Sequence, residues 1–184
     1  AEKMPIDRRT PLKKPESPYG RTKAMGEDII NDFVNITRIS AIALRYFNPV
    51  GAHKSALLGD IPNGIPNNLL PYITQTATDI REQLVVFGDD YSTKDGTAIR
   101  DYIDVNDLAK AHLLALQYLL ANKNNANLEF FNLGSGNGST VLEIINAFEK
   151  ANGVKLPYTI SSRRSGDIQE AYADFSNAKT KLNW

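Results

Sequence analysis

The most informative segment of the chain is Ser17-Pro18-Tyr19-Gly20-Arg21-Thr22-Lys23. Ser17 is a favourable N-cap, and Pro18 suits the first turn of a helix, where a missing N–H has no consequence. Apolar side chains then recur at helical spacing, at Ile29, Ile30, Phe33 and Val34. The segment therefore predicts the start of an amphipathic helix.

Tyr19 and Lys23 lie four residues apart at the start of this helix. Residues at i and i+4 share a helix face, so the phenol and the ammonium can point into one site. A nearby cation favours the ionised form of a phenol, so a tyrosine beside a lysine can act as a base near neutral pH. The pair is a candidate for acid–base chemistry. A solvated helix face is the alternative, because such pairs are common there.

Length and charge restrict the class of protein. The chain has 184 residues, of which 42% are hydrophobic and 23% charged, as is ordinary for a globular protein with one good core and a smaller lobe. Its 21 Lys and Arg residues balance 21 Asp and Glu residues. Zero net charge argues against a general nucleic-acid binder, which usually carries a basic excess. A small anionic ligand held by a few arginines is still compatible with this balance.

The chain contains no cysteine and two histidines, His53 and His112. Disulfides and cysteine-based metal sites are therefore impossible in it, and the two histidines have no metal-ligand spacing. No apolar run approaches the ~20 residues needed to span a bilayer, and the N-terminus has no signal-peptide pattern. We expect no metal, no membrane and a cytoplasmic protein.

Strands alternate with helices along the chain, which predicts an α/β protein with a parallel sheet component. Predicted strands cover 38–46, 84–87, 98–103 and 129–133. Predicted helices follow Ser17, cover 67–81, run from the Asp104 cap through 120, and follow the capping box of Thr140 and Glu143.

The segment Gly134-Ser135-Gly136-Asn137-Gly138 lies between a predicted strand and a predicted helix, where a dinucleotide-binding loop would lie. The third glycine of a G-x-G-x-x-G motif is replaced by Ser139, and no acidic residue ends a strand about 20 residues later. The segment therefore predicts a tight strand-to-helix turn rather than a cofactor loop.

Three groups of residues suit an anionic ligand. Arg163-Arg164-Ser165-Gly166-Asp167 offers two guanidinium groups for phosphate oxygens and a carboxylate for ribose hydroxyls. Arg100 lies next to Asp101, and Asn67-Asn68 opens a predicted helix. The alternatives are surface charge for the Arg-Arg pair, pairing of Arg100 with Asp101, and an ordinary N-cap. Together the groups suggest a ligand that carries a pyrophosphate.

Five motifs occur in a fixed order along the chain. They are Tyr19-x-x-x-Lys23, Arg45-Tyr46-Phe47-Asn48-Pro49-Val50-Gly51-Ala52-His53, Gly64-Ile65-Pro66-Asn67-Asn68-Leu69, Gly96-Thr97-Ala98-Ile99-Arg100-Asp101-Tyr102-Ile103, and Arg163-Arg164-x-Gly166-Asp167. This order strongly resembles the UDP-glucose 4-epimerase family, a branch of the extended short-chain dehydrogenases/reductases. YxxxK is unspecific, whereas NPVGAH, IPNNL and RDYI together are much more specific to the 4-epimerases.

The resemblance implies an α/β fold that corresponds to the C-terminal part of an extended short-chain dehydrogenase/reductase. Residues 1–50 would be a remnant of the Rossmann parallel sheet with the YxxxK helix. Residues 51–184 would form mainly the smaller α/β domain that binds the UDP-sugar, with 98–135 returning in part to the Rossmann sheet. The family's glycine loop and its C-terminal end are absent from the sequence, so we expect a piece of a longer protein that is inactive alone.

The resemblance also implies the roles of individual residues. Tyr19 would be the catalytic base and acid, and Lys23 would help to ionise it and bind the nicotinamide ribose of NAD. Tyr46 and Pro49 would border the nicotinamide. The implied substrate-binding residues are Asn48, Asn67, Asn68 and Leu69 at the UDP-sugar, Val85, Val86 and Phe87 at the uridine, Arg100 and Arg164 at the diphosphate, Asp167 at the uridine ribose, and Tyr102 of the RDYI motif.

The implied activity is interconversion of UDP-glucose and UDP-galactose through a 4-keto intermediate with bound NAD, by a full-length protein that is a homodimer. The alternatives are another NAD-dependent nucleotide-sugar epimerase, dehydratase or decarboxylase of the same fold, or a non-catalytic UDP-sugar-binding fragment. Titration of the chain with UDP-glucose and with NAD distinguishes an enzyme from a non-catalytic binding fragment.

Overall fold

The computed structural model describes residues 3–11, 13–15 and 17–184. Helices in this part of the chain are α1 (Pro18–Ile36), α2 (Leu69–Ala77), α3 (Val105–Leu120), α4 (Val141–Asn152) and α5 (Ser176–Leu182). Strands are β1 (Ala41–Tyr46), β2 (Asn48–Val50), β3 (Leu84–Phe87), β4 (Ile99–Arg100), β5 (Tyr102–Asp104), β6 (Leu128–Leu133), β7 (Ser139–Thr140), β8 (Tyr158–Ser161) and β9 (Glu170–Ala171). Within the described ranges, no helix has both the length and the apolar character needed to cross a membrane.

Helix α1 begins as its sequence predicts. The Ser17 hydroxyl accepts a hydrogen bond from the backbone N–H of Gly20 at 3.0 Å, and Pro18 occupies the first turn. Two further predicted helix starts are also confirmed, because Asp104 accepts from the Asn106 N–H and Thr140 and Glu143 form a capping box. Local side-chain chemistry therefore sets these three boundaries.

The strands pair in parallel except at one place, which confirms the predicted α/β class. β1 pairs with β6, β2 with β5, and β3 with β8, all in parallel. β4 lies between β9, its parallel partner, and β7, its antiparallel partner. Between β1 and β2 the chain changes partner, since the Phe47 N–H bonds to the carbonyl of Leu133 and the next N–H, of Asn48, bonds to Asp101.

Two predicted elements differ most from the structure, while the strand predicted at 38–46 begins later, at Ala41. The strand predicted at 98–103 is two strands, β4 and β5, because Asp101 between them turns its side chain into the protein interior. The helix predicted at 67–81 ends earlier, at Ala77, because Asp79 adopts a left-handed conformation and the Arg81 side chain folds back onto Gln75. Both differences arise from tertiary contacts that the local pattern does not contain.

The core of the described residues consists of two hydrophobic clusters. The first packs α3 and α5 against β1 and β6, around Phe131 and Leu133. The second packs α2 and α4 against β3, around Ile73 and Val86. The proposed domain division at residue 50 stays a prediction; α5, which lies in the range assigned to the second domain, packs against the first cluster.

Candidate active site

The central feature of the site is an ion pair between Arg100, at the end of β4, and Asp167, in the loop between β8 and β9. The two side chains are 16% and 25% exposed, and a second guanidinium nitrogen of Arg100 donates to the carbonyl of Ile99 at 2.8 Å. The alternative that Arg100 pairs with its neighbour Asp101 is wrong. Consecutive strand residues point to opposite faces, so the adjacent carboxylate faces away from the guanidinium.

Arg164 lies in the same loop, and its carbonyl accepts a hydrogen bond from the Asp167 N–H at 3.2 Å. Its guanidinium carbon lies 3.9 Å from the ring centroid of Phe87, the last residue of β3. Side chains alternate between faces along β3, so Val85 shares the face of Phe87, while Val86 is 1% exposed within the second core cluster. Of the three predicted uridine neighbours, Val85 and Phe87 therefore share one face of β3, and the side chain of Val86 lies on the opposite, buried face.

Arg163, the residue before Arg164, contacts Asp90 and Tyr91. It donates to the Asp90 carboxylate at 2.7 Å and to the Asp90 carbonyl at 2.6 Å, and its guanidinium covers the ring of Tyr91 at 4.0 Å. Tyr91 is 4% exposed, and its hydroxyl has no hydrogen-bond partner within the described ranges. Burial, together with the negative charge of Asp167, raises the pKa of Tyr91. Sequence reasoning did not single out Tyr91.

A second group lies where β2 pairs with β5. This register places Asn48 opposite Tyr102, which brings two predicted substrate residues together. Asn48 and Pro49 are exposed, as is Tyr46 at the end of β1. Burial raises the pKa of Tyr102 to about 12. Tyr102 is therefore a neutral hydrogen-bonding group at physiological pH.

Asp101 connects the two groups. Its carbonyl accepts a hydrogen bond from the Asn48 N–H at 2.9 Å, and its fully buried carboxylate accepts four more. Their donors are the Ser135 N–H at 2.7 Å, the Ser135 hydroxyl at 2.6 Å, the Gly136 N–H at 3.2 Å and the Ala173 N–H at 3.0 Å. The only sequence signal for this role was an acidic residue inside an apolar strand.

These hydrogen bonds explain the glycine-rich turn that follows β6. Two of its backbone N–H groups already bind the internal carboxylate of Asp101. A side chain on Gly134 would also meet that carboxylate, since an added Cβ would lie 2.2 Å from its oxygen. The N–H groups of the turn therefore bind the Asp101 carboxylate and are not available to the pyrophosphate of a dinucleotide. This agrees with the prediction of a structural turn.

Tyr19 and Lys23 lie on one face of α1, with the Lys23 Nζ 5.2 Å from the ring centroid of Tyr19. Tyr19 is 70% exposed. Among the described residues, no hydrogen bond or ion pair links the two side chains to the group around Arg100. The structure brings Tyr19 and Lys23 together with each other but gives them no direct contact with the anion group.

The Asn67-Asn68-Leu69 segment opens α2. Asn68 is the N-cap, but its side chain makes no capping hydrogen bond, and both asparagines are exposed. Leu69 packs against the second core cluster. The two amides are therefore available to a ligand, while Leu69 anchors the segment. Nowhere in the described part of the chain do three or more His, Asp or Glu side chains form a group that could hold a metal ion.

The comparisons with known proteins now identify the family. A sequence model of the NAD-dependent epimerase/dehydratase family matches residues 1–134. The chain belongs to this family.

Curated relatives extend the similarity over the whole chain. The UDP-glucose 4-epimerase of Pasteurella multocida (strain Pm70) is 51% identical over 184 residues, which are 100% of this chain and 54% of that protein. The UDP-glucose 4-epimerase of Mus musculus is 47% identical over 182 residues, or 98% of this chain and 52% of that protein. The chain spans about half the length of the curated relatives it matches.

Solved structures share the fold. The UDP-glucose 4-epimerase of Stenotrophomonas maltophila, with bound NAD and formylated UDP-arabinopyranose, superposes with a TM-score of 0.94 at 46% identity. The enzyme of Bifidobacterium longum, in complex with NAD+ and UDP, gives 0.93 at 45% identity. Each match covers 100% of this chain and 54% of the other protein. The parallel α/β arrangement of this chain is therefore that of the epimerase family.

Proposed function

We propose that this chain carries the UDP-sugar site and the acid–base pair of a UDP-glucose 4-epimerase, which interconverts UDP-glucose and UDP-galactose with NAD. The observation that carries the proposal is that Arg100 pairs with Asp167, while Arg164, whose carbonyl accepts from the Asp167 N–H, places its guanidinium on the ring of Phe87. Two cations, a carboxylate and an aromatic ring are complementary to a diphosphate, a ribose and a base. The names of the relatives, and the neighbour solved with NAD+ and UDP, support this assignment.

In the proposed complex, the arginines bind the diphosphate through charged hydrogen bonds, which are stronger than neutral ones. Phe87 and Val85 pack against the uracil on the face of β3 opposite the core. Asp167 accepts hydrogen bonds from the ribose hydroxyls. A firmly held diphosphate leaves the hexose free to turn over, which an epimerase requires.

Proton transfer is proposed for Tyr19. Its hydroxyl takes the proton from the sugar 4-hydroxyl and later returns it, while Lys23, whose Nζ lies 5.2 Å from the ring centroid of Tyr19, binds the nicotinamide ribose. Asn48 and Tyr102, which lie opposite each other, orient the hexose. The 70% exposure of Tyr19 leaves its hydroxyl accessible to a ligand.

Bound NAD would supply the hydride acceptor and donor that the reaction needs. The described residues fit its nicotinamide end, because Tyr46, at the end of β1, and Pro49, in the middle of β2, are both exposed. They do not fit its pyrophosphate at the glycine-rich turn, because Asp101 occupies the N–H groups there. The proposed NAD contacts of this chain are therefore those of Tyr19, Lys23, Tyr46 and Pro49.

Isothermal titration of the chain with UDP tests the proposal. Arg100→Ala and Arg164→Ala should each weaken UDP binding by roughly 1.5–3 kcal/mol, the contribution of a hydrogen bond to a charged group. Arg9→Ala is the matched control, because Arg9 is an exposed arginine that pairs with Asp7 and shares no hydrogen bond or ion pair with Arg100, Arg164 or Asp167 among the described residues. Unchanged UDP affinity in both site variants would make these arginines structural and remove the proposed pocket.

A non-catalytic UDP-sugar-binding role is the second candidate, since the chain spans about half of its relatives. Titration with UDP-glucose and with NAD distinguishes the two. Binding of both ligands favours an enzyme, while binding of UDP-glucose alone favours a binding fragment. Conversion of UDP-galactose in the presence of excess NAD, measured on the same preparation, gives the activity directly.

We also propose a homodimer for the protein that carries this sequence. Its support is an exposed apolar stripe on α1, where Met25, Ile29, Phe33 and Ile36 recur every three or four residues. Exposed apolar surface of this kind is typical of association sites. Sedimentation of the unmodified protein and of Ile29→Lys tests the assembly: a dimer that the lysine dissociates supports this helix as the contact.

A further inference from the structure

Three Asn-Gly dipeptides occur in the chain, at Asn63-Gly64, Asn137-Gly138 and Asn152-Gly153. An asparagine that precedes glycine is prone to lose its side-chain amide spontaneously, because glycine has no side chain to shield its backbone nitrogen from the amide carbon. All three asparagines are exposed, so access to water does not distinguish them. Their hydrogen bonds and their packing differ.

The reaction joins the two neighbouring residues in a cyclic imide. The backbone nitrogen of the glycine attacks the asparagine Cγ, so that an N–Cγ bond forms and the Cγ–Nδ2 bond breaks, and the N–H proton ends on the departing ammonia. Water then opens the ring. Its addition at Cγ gives aspartate, whereas its addition at the backbone carbonyl carbon gives isoaspartate, in which the main chain runs through Cβ and Cγ. Ring closure needs the nitrogen within roughly 3–3.5 Å of Cγ, so a backbone fixed in another geometry resists it.

The Asn63-Gly64 dipeptide is free to close this ring. Neither the Asn63 side chain nor the Gly64 N–H makes a hydrogen bond within the described ranges. Gly64 has a φ of +80°, and an added Cβ there would meet no atom within 4 Å. The Gly64 carbonyl accepts a long hydrogen bond, 3.5 Å, from Nη2 of Arg81. Both reacting groups therefore lie in an open loop between β2 and α2, without contacts that fix them.

The Asn137-Gly138 dipeptide lies in the packed turn after β6. The Asn137 N–H donates to the Ser135 hydroxyl at 3.2 Å, and the Asn137 carbonyl accepts from that hydroxyl at 3.0 Å. An added Cβ on Gly138 would lie 2.3 Å from Cγ2 of Ile99. Ring closure at this dipeptide therefore requires the turn to open.

The Asn152-Gly153 dipeptide lies at the end of α4. Nδ2 of Asn152 donates to the carbonyl of Phe148 at 2.9 Å, and the Gly153 N–H donates to the carbonyl of Glu149. Both reacting groups are therefore engaged with the last turn of the helix. The dipeptide reacts after that turn has unfolded locally.

We propose that Asn63 is a site of spontaneous deamidation, at which the folded chain forms aspartate and isoaspartate while Asn137 and Asn152 keep their amides. The modification places a carboxylate four residues before Asn67. Its isoaspartate form also lengthens the main chain by one methylene group. The inference concerns the chemistry of the loop itself and does not depend on the proposed function.

The test compares the folded chain with the same chain in concentrated guanidinium chloride, both kept at one mildly alkaline pH. Peptide mapping by mass spectrometry follows the mass gain of amide-to-carboxylate conversion at each dipeptide. In the denatured chain the three asparagines should react at similar rates. In the folded chain Asn63 should react within about threefold of its denatured rate, and Asn137 and Asn152 should be slowed about tenfold or more, because each must first open locally.

Asn63→Gln is the matched control. Its longer side chain would have to close a larger ring, which forms more slowly, so the early modification should disappear while circular dichroism of the chain stays unchanged. Protein-isoaspartate methyltransferase then identifies the product, since it methylates isoaspartate and not aspartate.

Fast reaction of Asn63 alone, with isoaspartate at that position, supports the inference. Three results overturn it. One is protection of Asn63 in the folded chain relative to the denatured chain. Another is equal rates at the three dipeptides of the chain in native buffer. The third is aspartate without isoaspartate at position 63, which would mean direct hydrolysis of the amide instead of ring closure.

Discussion

Arg45 and Glu27 join α1 to β1 through a bidentate ion pair, with Nε–Oε1 and Nη2–Oε2 distances of 2.7 and 2.5 Å. Both side chains are about one-fifth exposed, and the Arg45 guanidinium also covers the ring of Phe130 at 4.4 Å. The pair holds the helix that carries Tyr19 against the sheet. Glu27 lies four residues after Lys23 on the same face of α1, so the orientation of the proposed acid–base pair depends on this contact one turn further along the helix.

Glu27→Gln should lower the free energy of unfolding by about 2 kcal/mol, since it leaves a half-buried guanidinium without its charged partner. Urea denaturation followed by circular dichroism measures the change. Asp7→Asn is the control, because it breaks the exposed Asp7–Arg9 pair and should leave stability unchanged within error. Equal stability of Glu27→Gln and the unmodified chain would show that packing alone holds α1.

Helix starts could be predicted from the sequence because they depend on neighbouring residues. Ser17, Asp104 and Thr140 each bond to a backbone N–H two or three positions ahead, a distance that the sequence itself specifies. The strand β8 went unpredicted because its four residues are exposed and carry no alternation of burial. Its existence depends on pairing with β3, more than 70 positions earlier.

The candidate site, too, could be predicted only in part from the sequence. Arg100, Arg164 and Asp167 could be marked as anion and ribose ligands from their chemistry and from the resemblance. Their mutual contacts could not, because the Arg100–Asp167 pair joins residues 67 positions apart. The hydrogen bonds of the buried Asp101 carboxylate could not be predicted either, since their four donors come from two later segments of the chain.

Asp101→Asn should destabilise the chain by about 3 kcal/mol, because the amide turns an N–H₂ group toward backbone N–H donors in a buried place. Asp104→Asn, three residues later, is the matched control. Asn and Asp are equally good N-caps, so that variant should change stability by less than about 0.5 kcal/mol. Chemical denaturation of both variants measures the difference. Similar losses in the two would mean that the hydrogen bonds of Asp101 contribute little.

The raised pKa of Tyr102 leads us to expect that the folded chain loses stability at alkaline pH. Burial raises its pKa from the ordinary value of 10.0 to about 12 in the folded chain. The folded state therefore favours the neutral phenol, so this contribution to stability is complete below pH 10 and is lost as the pH rises toward 12. Over that range the unmodified chain should lose about 2 kcal/mol more than Tyr102→Phe.

Urea denaturation at pH 10, 11 and 12 measures that difference. Tyr158→Phe serves as the control, because Tyr158 lies on the exposed strand β8 and its replacement should leave the pH dependence of the unmodified chain intact. Parallel pH profiles for the unmodified chain and Tyr102→Phe would contradict the burial of the Tyr102 hydroxyl.

Tyr19→Phe, in an active enzyme that contains this sequence, should reduce turnover of UDP-galactose by ~10²–10⁴-fold, the usual contribution of a general acid–base group. UDP affinity should stay nearly unchanged, because no polar contact among the described residues joins Tyr19 to the group around Arg100, and the phenyl ring still offers a face to Lys23. Tyr72→Phe is the control, since Tyr72 packs against the second core cluster and has no proposed part in proton transfer. Measurement of kcat and of UDP affinity on the same preparations separates chemistry from binding. Near-normal kcat in Tyr19→Phe would remove this residue from the mechanism, and a parallel loss of UDP affinity would place it in the substrate site instead.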